Sequence, residues 1–173
     1  AQVMKSLSPQ KVEITPFFDL ETYMLLSETR RIQGDKAEEL EETWKWVFPH
    51  LKAYRLGERK GYMLIYLDKA LEDELDAILE QDEAKGEEIQ TLAQSMIMAA
   101  MLEAIPEAGF ASCAPIPEPN KVLKRSLAKL GLEFYNSGRM NVRFGVLTKL
   151  PFSGGCEQCY IKGTCAKRIM AGK

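Results

Sequence analysis

The stretch IQTLAQSMIMAAMLEAI, Ile89 to Ile105, is apolar around most of a helical circumference. Ile89, Leu92, Met96, Ala99 and Ala100 fall on several sides of a 3.6-residue spiral, and Met98 and Met101 widen the apolar surface further. A helix without a polar face is stable in water only when other elements surround it. The pattern therefore predicts a long central helix from about Glu87 to Ile105, and the rest of the chain must supply its cover. It does not suit a bilayer, because Gln90, Gln94, Ser95 and Glu103 interrupt it and Pro106 ends it.

The preceding segments alternate between strand and helix chemistry. KVEITPFF (Lys11 to Phe18) is β-branched and aromatic and predicts a first strand. DLETYMLLSETRRIQ follows as a helix with Asp19 as N-cap and Gly34 as its stop. DKAEELEETWKWVFPHL is a second helix, with acidic first turns and a stripe of Leu40, Trp44, Val47 and Phe48, and Pro49 ends it. GYMLIYLD (Gly61 to Asp68) reads as a buried strand. KALEDELDAILEQDEAKG then forms an amphipathic helix with Leu71, Leu75, Ile78 and Leu79 inward, and Gly86 is expected to break it. Its acidic residues read as an exposed face.

Beyond the central helix the chemistry changes. PEAGFASCAPIPEP (Pro106 to Pro119) holds four prolines and a glycine, too many for regular structure and too apolar for a free linker. NKVLKRSLAKLG is a helix between the cap Asn120 and the stop Gly131. LEFYNSG and MNVRFGVLTKLPF predict two strands paired across an Asn136-Ser137-Gly138 turn. The fold class expected is α+β: a mostly antiparallel sheet packed with helices around the long central one. Residues 1–150 form one body, and 151–173 form a cysteine-containing tail that folds back on it.

With 173 residues, 46% of them hydrophobic, one full core is within reach. The formal charge is −2, from 23 basic and 25 acidic side chains, with no basic face to attract nucleic acid. The opening AQVMKSLSPQKVEITPFF has no apolar core of signal-peptide length. Four cysteines are too few for a secreted disulfide scaffold of this size. The expectation is a cytoplasmic protein with reduced thiols and no membrane partner.

Three of those cysteines crowd the end of the chain, in SGGCEQCYIKGTCAKR. Cys156 and Cys159 have C-x2-C spacing, and Cys165 follows a turn permitted by Gly163. Cys113, the fourth, sits in the Pro-rich loop. Thiolates suit zinc or an iron–sulfur cluster, and a 4Fe–4S cluster takes four cysteines, often three close together and one distant. Lys162, Lys167 and Arg168 would lower the thiol pKa values and offset thiolate charge. Packing of the cysteines as small apolar side chains, and a redox disulfide between Cys156 and Cys159, are the alternatives to a metal. The one histidine, His50, follows Pro49 and reads as a surface or helix-capping residue rather than an acid–base group. Trp44 and Trp46, two apart, cannot share a helix face; one belongs to the core and the other marks a partner surface.

AGFASCAPIPEP, KRSLAKLG, GRMNVRFGVLTK and CEQCYIKGTCAKR occur in an order that resembles the activation domain of vitamin-B12-dependent methionine synthase, in its stand-alone bacterial forms. The resemblance runs from about Met63 to the end. It implies work on a corrinoid, and a pocket for S-adenosylmethionine marked by an R-x-x-x-G-Y signature. Gly109 and Phe110 match the last two positions and are the cofactor-binding residues implied. The arginine position is Ile105, which offers no guanidinium fork for a ligand carboxylate. Arg125, Arg139 and Arg143 are the replacements available nearby in sequence.

The expected function is thus an iron–sulfur protein held by Cys113, Cys156, Cys159 and Cys165, serving reductive activation of, or electron transfer to, a corrinoid protein. A structural zinc site on the same four thiols, and an S-adenosylmethionine-binding reactivation protein, are the other readings.

Overall fold

The computed structural model describes residues 8–57, 61–106, 117, 119–137 and 139–150. Its elements in chain order are β1 (Pro9–Lys11), α1 (Leu20–Leu26), α2 (Gly34–Val47), a 3-10 turn (Phe48–His50), β2 (Leu51–Leu56), β3 (Tyr62–Leu67), α3 (Lys69–Gln81), α4 (Glu83–Ala104), α5 (Lys121–Ala128) and β4 (Gly145–Lys149). The four strands form one antiparallel sheet in the order β1-β2-β3-β4. The architecture is α+β, as the sequence predicts.

Strand periodicity divides the core in two. On β3, Met63, Ile65 and Leu67 join a cluster with α4 residues Ile89, Leu92, Met96 and Ala100. The alternate residues Leu64 and Tyr66 face the opposite way, into a cluster closed by Leu123 and Leu127 of α5 with Leu132 and Phe134. β3 is therefore buried on both faces and reads as a continuous apolar run. Helix α4 touches α1, α2, α3, β3 and β4, the central position its all-round apolarity requires.

Five local expectations are corrected by the structure. The first strand is only Pro9–Lys11. Val12 still donates to the Ala53 carbonyl at 2.9 Å, but the Thr15 N–H is taken by both Glu103 carboxylate oxygens, at 3.0 and 3.1 Å, so the chain leaves the sheet for the end of α4. Pro16 has no N–H to continue the ladder. Helix α1 does begin at its Asp19 cap, yet it stops at Leu26, where Ser27 caps it and Glu28 takes φ 57°; Gly34 opens α2 rather than closing α1.

Strand β2 was not anticipated. The Leu51–Leu56 run lies directly after the Pro49 turn, and its alternation sends Leu51 and Ala53 to one core and Tyr54 and Leu56 to the other. Gly86 does not break a helix. The chain turns at Asp82, whose carboxylate accepts the Lys85 N–H at 3.1 Å and caps α4. Gly86 lies inside α4 because the crossing with α3 is tight there. Finally, among the described residues the 132–137 segment makes only a single bridge, Phe134 to Met140, and β4 pairs with β3 instead. Gly131 does end the α5 region, at φ 76°.

Candidate functional site

Cys113, Cys156, Cys159 and Cys165 lie outside the described residues, as do Gly109 and Phe110. The described residues on either side of them are firmly seated. Ile105, where the loop departs from α4, is buried and donates its N–H to the Met101 carbonyl at 2.7 Å. Pro117, near the loop's end, is buried as well. Leu150, where the tail begins, is buried and donates its N–H to the Gly61 carbonyl at 2.8 Å. Among the described residues no three His, Cys, Asp or Glu side chains converge on a point that would hold a metal ion. The donor set that fits a thiophilic metal or cluster is the four thiols, the soft ligands such a centre takes.

Ile105 belongs to the core around α4, where it is 2% exposed. That position supplies apolar packing. Arg143 is already engaged on α3: its Nη2 donates to Asp76 Oδ1 at 2.7 Å, and its backbone N–H donates to Glu72 Oε2 at 3.3 Å. Arg125 lies in the last turn of α5, and the Arg139 carbonyl accepts from the Tyr135 N–H.

An ionic cluster that the sequence reading missed joins α2 to α4. Glu88 is nearly buried on α4 and is held by Lys36 from α2 and by Lys85, whose Nζ is 2.7 Å away. Lys85 also reaches Glu39 at 3.0 Å and Thr43 at 3.3 Å. The hydrogen bond to Glu88 holds the Lys36 pKa above its ordinary value. Burial pulls Lys85 down, but its bonds to Glu88 and Glu39 outweigh that and its pKa is also raised. Hydrogen bonds from Lys85 and Lys36 hold Glu39 low. The neighbouring Tyr23 is pushed up by burial and then by the Glu88 charge. The signal in the sequence is a glutamate directly beside Ile89, at the start of the helix's apolar stretch.

His50 is tied to Asp68, with Nδ1 2.8 Å from Oδ1. The same Asp68 oxygen accepts the Leu71 N–H at 3.2 Å and so caps α3, while the Asp68 N–H donates to the His50 carbonyl at 3.0 Å. His50 thus pins the β2 and β3 ends of the sheet to the start of α3, a structural role. Trp44 is buried against Phe18, whereas Trp46 is 37% exposed and packs edge-on to His50.

Among the described residues no helix is long and apolar enough to cross a membrane. Compared with known protein families, with curated proteins and with solved structures, the chain matches none.

Proposed function

We propose that this chain is an iron–sulfur protein, with a 4Fe–4S cluster held by Cys113, Cys156, Cys159 and Cys165, that serves reductive activation of a corrinoid protein in the cytoplasm. The single observation that carries the reading is the cysteine set: one thiol in a Pro-rich loop, three in a glycine-relieved tail, and none left over. The order of sequence pieces resembling the methionine-synthase activation domain supports the corrinoid part. Ile105, apolar and in the core at the arginine position, departs from that family and lacks its ligand-binding fork, so S-adenosylmethionine binding is not part of the proposal.

Chain length permits the ligand set. Cys156 lies six positions beyond Leu150 and Pro117 four beyond Cys113, which at ~3.5 Å per position allows reaches of about 20 and 14 Å. A body of this length has a radius of gyration of about 15 Å, so those reaches are comparable with its dimensions. Iron–sulfur clusters supply low reduction potentials, the property that taking cobalt to its cobalt(I) state demands.

The test is electron transfer. Protein reduced with dithionite and freed of excess reductant is mixed with cob(II)alamin, alone and bound to a corrinoid protein. The expected result is loss of the cob(II)alamin spectrum and growth of the cob(I)alamin band, one electron per cobalt, absent in Cys156→Ser. A wild-type protein that holds iron and transfers no electron to either form would remove the corrinoid assignment and leave the cluster.

A further inference from the structure

The N-terminus of α2 opens on a cavity of about 350 Å³ that the cysteine reading does not use. That volume lies at the lower end of small-molecule pockets. Its wall is rich in hydrogen-bond donors. The first intrahelical bond of α2 runs from the Ala37 N–H to the Gln33 carbonyl, and the Lys36 N–H is taken by the Asp35 carboxylate at 2.9 Å. Gln33 stands at the N-cap and supplies no side-chain acceptor. The Gly34 and Asp35 N–H groups are therefore left at the positive end of a 14-residue helix.

A second feature points at the same space. Tyr23 lines the cavity and is only 7% exposed, yet its hydroxyl makes no hydrogen bond among the described residues. It is also not a sealed, unsatisfied atom of the core; Thr148 Oγ1 is the one such atom among the described residues. The Tyr23 hydroxyl thus keeps some accessible surface, and the cavity is what Tyr23 borders. Its raised pKa keeps it protonated, hence a donor, at neutral pH. Arg31 adds a guanidinium to the wall, and Lys36 an ammonium shared with Glu88 and Glu39. The Thr29 hydroxyl, 2.9 Å from that of Ser27, also stands in the wall. Asp35, turned to its own helix, is the one carboxylate in the cavity wall; the Glu88 and Glu39 charges also reach Tyr23 and are paired with Lys36 and Lys85.

We propose that this cavity binds the oxyanion group of a small molecule, a carboxylate or a phosphate, between the Tyr23 hydroxyl, Arg31 and the free N–H groups that open α2. Helix N-termini with unpaired N–H groups favour such anions. The site lies wholly within α1, α2 and their connection and is independent of the cysteines.

Calorimetric titration of the full chain with inorganic phosphate and with succinate, against chloride at equal ionic strength, tests it. Saturable one-to-one binding of at least one anion is expected at millimolar concentration, with none for chloride. Phosphate alone would assign the phosphate class, and succinate alone the carboxylate class. Tyr23→Phe should weaken binding by about tenfold, the loss of one hydrogen bond to a charged group. Gln33→Asp should abolish binding while raising Tm, because an aspartate N-cap satisfies the same N–H groups and repels an anion. Absence of saturable binding by either anion overturns the proposal. So does unchanged affinity in Tyr23→Phe or in Gln33→Asp. Iron measured on the same samples keeps the two readings separate, since loss of iron leaves this result standing.

Discussion

Glu88 Oε2 stands 2.7 Å from Lys85 Nζ one turn earlier on the central helix, and the pair shares its charge with Lys36 across the α2–α4 interface. A carboxylate this buried is tolerable only because two ammonium groups reach it. Glu88→Gln should destabilise the fold by about 2 kcal/mol, less than for a wholly buried pair because both lysines remain partly in water. Urea denaturation of the two proteins checks it; an unchanged midpoint would remove the cluster from the account of stability.

The same cluster sets an alkaline limit. Lys36 and Lys85 have folded pKa values above their ordinary 10.5. Burial lifts Tyr23 above its ordinary 10.0 and Tyr66 to about 12. In each case the folded protein holds its proton more tightly than the unfolded chain. Their contribution is complete below about pH 10 and is lost as pH rises through the folded values. Tm should be flat from neutral pH to about 9 and fall above about 10, and Lys36→Met should fall less steeply. Thermal melts across that range measure both.

Gly86 is fixed by its neighbour on α3. A Cβ at that position would meet Leu79 Cδ2 at 2.2 Å and its Cγ at 2.6 Å. Alanine would gain about 1 kcal/mol of helix propensity but would force the two helices apart, at a cost of about 1–3 kcal/mol. Gly86→Ala should therefore lower stability by about 1 kcal/mol, read from chemical denaturation. An increase would mean that the α3–α4 crossing is looser than this packing.

Periodicity alone revealed most of the helices. The apolar circumference of α4, the Asp19 and Asn120 caps and the Leu71–Leu75 stripe are local signals, and each names its element. Tertiary hydrogen bonds were not legible. Nothing in KVEITPFF announces that Glu103, far along the chain, will capture the Thr15 N–H and end the strand early. β2 was hidden for the opposite reason: a six-residue strand beginning right after a helix-ending proline offers too short an alternation to separate from the helix before it. Gly86 was misread because a glycine that breaks a helix and one that lets two helices touch look identical in sequence. Of the candidate site, the cysteines were visible from spacing, whereas the α2 cavity depends on a tyrosine from one helix meeting the open end of the next.

Ile105 gives a further prediction about ligand chemistry. Ile105→Arg would place a guanidinium in the apolar core around α4. The variant should lose more than about 2 kcal/mol relative to Ile105→Met. Titration with S-adenosylmethionine should show no binding in either. Tight binding by the arginine variant, with its stability kept, would instead reveal the activation-domain pocket intact beneath the isoleucine.

Iron and acid-labile sulfide in anaerobically purified protein test the central claim most directly. The account predicts about four of each per chain, with a brown colour from thiolate-to-iron charge transfer. It also predicts loss of both in Cys113→Ser as much as in Cys156→Ser. A colourless protein carrying about one zinc per chain, or an iron content that Cys113→Ser leaves unchanged, would contradict it.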